Sequence, residues 1–226
     1  MKLSPNTTGE EIDTWNKRQE FVRDAVPSRW IDYSLELQEA AKNLWSNRAN
    51  SMEVTMLHGQ SVGDCITQEL SNPRIYALLA GLALENSLKA QLIVEQPAYI
   101  TDAKLHKPFR THQLIKLMDL VKDMEFDEGE RKLAAICEQA IPYWGRYPVP
   151  RDYNDVAEEH KLGDKFHSDF VALNHRIRKH VHDAIKDGWD SGVGPKTLKI
   201  RSAEFDDDLE LDKPFPWVGA DTEDVT

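Results

Sequence analysis

Asn72 to Gln96 reads NPRIYALLAGLALENSLKAQLIVEQ. Asn72 followed by Pro73 is a helix start: the Asn side chain can take up a free backbone N–H, and proline at the first helical position lacks only a donor that would have gone unused. Pro97 is the stop, so the stretch predicts one helix running to about Glu95. A helix this apolar is fit for burial in the middle of a bundle. On one side Glu85, Asn86 and Lys89 interrupt it. Glu85 and Lys89 stand at i and i+4, so they either close an intrahelical ion pair or hold polar groups for a site.

Working outward, residues from Ser28 place Trp30, Tyr33, Leu37, Ala40, Ala41, Leu44 and Trp45 at helical spacing, with Ser28 as N-cap. Upstream, a polar extension over residues 1–27 carries Ile12, Trp15, Phe21 and Val22, enough for a short helix that docks on the body. Between the two long helices the pattern is mixed. Met52, Val54, Met56 and Leu57 suit a strand or irregular chain, and Asp64 to Leu70 a short helix. Downstream, Tyr99 to Arg110 reads as a polar loop, and Thr111 caps a helix bearing Leu114, Leu117, Met118 and Val121. Asp127 or Glu128 starts the next, with Leu133, Ile136, Cys137, Ala140 and Ile141 inward, and WGRYPVPRDYND ends it. A last helix from about Asp164 to Lys186 aligns Phe166, Phe170, Leu173, Ile177, Val181 and Ala184, and Gly188 closes it. No internal repeat and no strand alternation occurs. The expectation is an all-α protein: a bundle of five to six helices over residues 28–188, followed by a flexible, largely irregular acidic tail over 189–226.

A length of 226 residues suits one domain with tails. Apolar residues make up 40% and charged residues 30% of the chain, and no uninterrupted apolar run reaches the roughly 20 residues of a membrane span. The opening MKLSPNTTGEEID lacks the apolar core of a secretory signal, so the expected location is cytoplasmic, with no membrane partner. Cys65 and Cys137 are too few and too far apart for a disulfide framework or a zinc site, and are expected as reduced thiols. The formal charge of −11 is unevenly placed: Ala203 to Thr226 holds nine acids against Lys213 alone. The body is therefore nearly balanced and a local basic site remains compatible with the acidic pI. Such a tail could lie over a basic groove as a mimic of nucleic acid. Neither a Gly-rich phosphate loop nor a Ser/His/Asp order nor paired cysteines are present, and HGQSVG at residues 58–63 lacks the spacing of a nucleophile elbow.

The segments LENSLKAQLI, THQLIKLMDL with His112, WGRYPVP, and HRIRKHVHDAI follow one another in an order that resembles the HEPN superfamily, the higher eukaryote and prokaryote nucleotide-binding helical domain. The resemblance spans residues 72–186. It implies a helical bundle that dimerises and, in active members, cuts RNA without a metal, using an Arg and a His on the final helix brought together from both subunits. A His near neutral pKa can move the 2′-hydroxyl proton while an Arg steadies charge on the phosphate, leaving a cyclic phosphate end. Carried onto this chain, the resemblance makes Arg176, His180 and His182 the catalytic candidates. Lys89, Arg146 and Arg178 become RNA or phosphate contacts, with Glu85, Asn86 and His112 in support. It implies no cofactor and no metal. The partners it implies are RNA, a second copy of the chain, and an antitoxin or other protein, in a toxin or antiviral defence setting.

Each candidate also has a structural reading. Arg176 and His182 have five residues between them but lie about 120° apart on a regular helix, whereas Arg176 with His180 and Arg178 with His182 share faces at i, i+4. The first of these pairs, with Asp169 and Asp183, is expected beside the core stripe at a subunit contact. Arg178, His182 and His175 are expected to face solvent. The rival to catalysis is an inactive helical module for dimerisation or protein binding, its basic residues forming a solvated face. His112, one residue beyond the expected cap, suits a local structural role. Arg146 can stack on Trp144 or Tyr147 or present its fork to phosphate, with Lys107 and Arg110 adding a positive rim. A metal site from His175, His180, His182 and Asp183 fails on geometry, because His180 and His182 diverge by about 200°.

Overall fold

The computed structural model describes residues 9–48, 53–54, 66–67, 73–101, 103–144, 146 and 162–191. The chain is all-α. Among the described residues the helices are α1 (Gly9–Asp24), α2 (Pro27–Ser46), α3 (Pro73–Glu95), the single turn α4 (Ala98–Thr101), α5 (Leu114–Leu120), α6 (Glu128–Gln139) and α7 (Asp164–Ile185). A 3-10 turn, Lys107–Arg110, precedes α5, and a π turn, Ala140–Trp144, continues α6. The only strands among these residues are β1 (Glu53–Val54) and β2 (Ile66–Thr67), an antiparallel pair. Ile66 and Thr67 thus contradict the short helix expected over Asp64 to Leu70.

α3 is the hub, about 35 Å long, and it touches α2, α5, α6, α7 and the π turn. Leu84, Leu88, Leu92 and Ile93 are buried within it, while Ala77, Ala80, Gly81, Ala83 and Ala90 keep it slim enough for neighbours to approach. At Gly81 the approach is tightest: a Cβ there would lie 2.9 Å from the Cys137 carbonyl oxygen and 3.1 Å from Ile141. By length and composition α3 is apolar enough to cross a membrane, although no run was expected to be, but 78% of its most apolar window is buried inside the bundle.

Side-chain contacts give the register. Trp45 meets Tyr76 while Ser34 meets Ala83 and Ser87, so α2 runs antiparallel to α3. His167 meets Tyr76 while His180 meets Gln91, so α7 runs parallel to it. Where the three helices converge, Asn174 ties them together. The Ser87 hydroxyl donates to Asn174 Oδ1 at 2.7 Å, and Asn174 Nδ2 donates to Gln38 Oε1 at 2.8 Å and to Ser34 Oγ at 3.2 Å. Ser34 in turn donates to the Ala83 carbonyl at 2.8 Å. These groups are buried and satisfied, as a polar cluster in a core must be.

Helix ends follow local chemistry with corrections. α6 starts at a capping box, in which Asp127 accepts from the Glu130 N–H and Glu130 accepts from the Asp127 N–H. α2 starts two residues earlier than expected: Pro27 takes the first helical position and Val26, not Ser28, is the N-cap. α5 starts at Leu114, with Gln113 as N-cap in place of Thr111, and Glu138 of α6 reaches across to accept the Ile115 N–H at 3.0 Å. Gly188, at φ 109°, lies just beyond the end of α7, and its N–H bonds the Ile185 carbonyl. The last turns of the N-terminal extension join the core through Val22, Ala25 and Val26. Cys137 is fully buried, which pushes its thiol up to about 12 and leaves it unreactive. Cys65, most of the WGRYPVP segment and the acidic tail from 192 onward lie outside the described residues.

Candidate functional site

The polar side of α3 forms a triad with the loop that leads into α5, two of its members buried and the third, His112, exposed. Lys89 Nζ lies 2.6 Å from Glu85 Oε1, and His112 Nδ1 lies 2.9 Å from Glu85 Oε2. A carboxylate only accepts, so His112 donates through Nδ1. The side chains of Glu85 and Lys89 are 6% and 7% exposed, that of His112 59%. The Lys89 ammonium also lies 5.7 Å from the Trp30 ring centroid and 5.6 Å from that of Phe109, rings that pack edge-on against each other. Carboxylate and aromatic faces together offset the cost of burying this charge. In this arrangement Lys89 is directed inward. Asn86 bonds within its own helix, Nδ2 donating to the Leu82 carbonyl at 2.6 Å. His112 stands in the loop before α5 and not one residue into a helix, so the helix dipole is not what governs it.

On α7 the faces are exchanged relative to the sequence expectation. Arg178, expected in solvent, is 4% exposed, and burial pulls its pKa down to about 10 against the opposing charge of Glu39. Its Nε has no hydrogen-bond partner. Arg176, expected beside the core, has a side chain 43% exposed. Its Nη2 reaches both oxygens of Glu130 at 2.7 Å, and its guanidinium lies 5.4 Å from the Phe126 ring. The reason is that polarity misassigned the stripe: α7 buries Asn174 and Arg178 together with Phe170, Val171, Leu173, Ile177, Val181 and Ile185, while Ala184 is exposed. His182 joins the inward side, its side chain 15% exposed and its Nδ1 3.8 Å from Asp183.

His180 is half-buried and meets α3 through Nδ1, 3.0 Å from Gln91 Oε1. Gln91 Nε2 donates to Glu95 Oε1 at 2.9 Å, and Glu95 also accepts the backbone N–H groups of Lys122 and Asp123. Gln91 and Glu95 were not anticipated as site residues. Their i, i+4 spacing signals a mutual bond, but only the parallel register of α7 brings His180 to them.

Arg146 is an exposed turn residue, and the side chains of Trp144 and Tyr147, on which it could stack, lie outside the described residues. Arg110 closes its own loop through Nε to the Leu105 carbonyl at 2.8 Å. Among the described residues no three of His, Cys, Asp and Glu gather where they could hold a metal ion. What α7 and α3 offer is proton transfer from imidazoles and, if freed from Glu130, a guanidinium for phosphate. No family model, no curated protein and no solved structure matches this chain.

Proposed function

We propose that this chain is a HEPN-like RNA-binding protein of a toxin or antiviral defence system, acting in the cytoplasm as a homodimer and cutting RNA without a metal. The observation that carries this reading is the placement of His180 on the flank of α7 that also bears the exposed Arg176, its Nδ1 engaged by Gln91. That leaves Nε2 as the ring atom for taking a 2′-hydroxyl proton, while a guanidinium recruited from α7 would steady the phosphate. The motifs behind the resemblance sit on α3, α5 and α7, and these pack as one bundle around α3.

A second reading, an inactive binding or dimerisation module, is favoured by one observation: Arg176 is held by both oxygens of Glu130 and Arg178 is buried. Expression in a host cell separates the two. A ribonuclease toxin loses its growth arrest on His180→Ala or His182→Ala, whereas a module is indifferent to either change provided it folds.

A further inference from the structure

We infer that Gln91 is a positioning residue for His180, fixing the tautomer in which Nδ1 carries the proton and Nε2 is the bare base. The catalytic consequence rests on the endoribonuclease reading above. The tautomer itself does not.

The chain of reasoning begins at Glu95. Its oxygens receive N–H donors from Lys122 and Asp123 of the loop after α5, at 3.0 and 3.2 Å, and a carboxylate in that setting is an acceptor. Gln91 therefore turns its NH2 group toward Glu95, and its carbonyl oxygen must face the other way, toward α7. That oxygen can only accept, so the hydrogen between it and His180 belongs to Nδ1. The neutral ring then has its lone pair on Nε2, which no described residue engages. An amide that could flip would not fix the ring; this one cannot, because turning over would set its carbonyl oxygen against the Glu95 carboxylate and its NH2 against a ring nitrogen that would have to be the acceptor. Gln91 is completely buried while His180 is half-exposed, which suits a fixed inner group orienting an outer reactive one. Positioning groups behind a catalytic imidazole act in this way, by holding its tautomer and plane.

The test is long-range 1H–15N correlation of the His180 ring in the full-length protein at a pH where the ring is neutral, assigned by its loss in His180→Ala. The expected spectrum has a protonated, pyrrole-type Nδ1 and a pyridine-type Nε2. Gln91→Leu should return the ring to a mixture of tautomers. Should Gln91→Leu fail to fold, Glu95→Gln serves instead, since an amide there frees Gln91 to turn. A wild-type ring protonated at Nε2, or an unchanged tautomer in the folded Leu and Gln variants, overturns the inference. With the tautomer confirmed, RNA cleavage adds a second readout: Gln91→Leu should lower kcat by about tenfold to a hundredfold at unchanged KM. Equal cleavage by wild type and Gln91→Leu overturns the positioning role. A confirmed tautomer with no cleavage by the wild type upholds the geometry and removes the ribonuclease reading alone.

Discussion

Glu85 holds two partners, the Lys89 ammonium and the His112 ring, and their unequal exposure makes them unequal in energy. His112 can fall back on water, but Lys89 cannot, because its side chain is only 7% exposed. Removing the carboxylate in Glu85→Ala strands a buried ammonium, and urea denaturation should show a loss of about 3–5 kcal/mol. Replacing both members, Glu85→Leu with Lys89→Met, should cost less than Glu85→Ala alone, since no unpaired charge remains. A double variant at least as unstable as the single one would show that packing and not charge governs the site. A second residue-scale consequence concerns pH. His167 stacks on Trp45 and is hydrogen-bonded to the Tyr76 hydroxyl, 2.7 Å from its Nδ1. Burial pushes the Tyr76 phenol far above its usual value, so it stays protonated. Burial also lowers the pKa of His167 below 6.5, helped by the charges of Arg48 and Lys42 and opposed by Asp164. The unfolded ring thus binds a proton more readily than the folded one. The stability it contributes is complete above about pH 6.5 and declines as pH falls below that toward the lower folded value. Thermal melts of His167→Gln, which can still accept from Tyr76, should lose part of that decline; an identical pH profile would exclude His167 as its source.

At the level of the helices, what was readable depended on whether apolar residues alone marked the buried face. α3 and α6 declared themselves through Pro73, Pro97 and the start expected at Asp127 or Glu128, and their boundaries came out nearly as read. α7 did not. Its length was legible, but its orientation was wrong by the width of a face, since Asn174 and Arg178 are polar side chains that the fold buries. Asn174 is buried because Ser34, Gln38 and Ser87 from two other helices satisfy it, and no pattern within α7 could signal that. The candidate site suffered in the same way. The Glu85 and Lys89 pairing was legible from i, i+4 spacing, whereas its third member His112 and the Gln91 contact to His180 depend on how distant segments meet. The crossing of α3 with the end of α6 gives a prediction of its own. Gly81→Ala gains helix propensity of roughly 1 kcal/mol, yet its methyl group would press on the Cys137 carbonyl and Ile141. Backbone cannot yield as a side-chain tip does, so denaturant unfolding should show a net loss of about 1–2 kcal/mol. A gain in stability would mean that α6 moves away easily.

Across the whole molecule, one apolar helix is wrapped by its neighbours, and the polar groups they bring to it fall on two sides. Asn174 and the serines sit between α2, α3 and α7 and specify how those helices align. Gln91, at i+4 from Ser87, meets α7 on that same side through His180, whereas Glu85 and Lys89 face the loop that carries His112. Arg176 is the group whose state divides the two functional readings, because Glu130 holds it while α6 stays in place. Incubation of the purified protein with total RNA and a defined tRNA in EDTA, beside a His180→Ala, His182→Ala double variant, bears on this most directly. Cleavage to fragments with cyclic phosphate ends, lost in the folded double variant, is the expected result. Intact RNA after incubation with the folded wild-type protein, or cleavage that survives the double substitution, would contradict the proposed role of the α7 histidines.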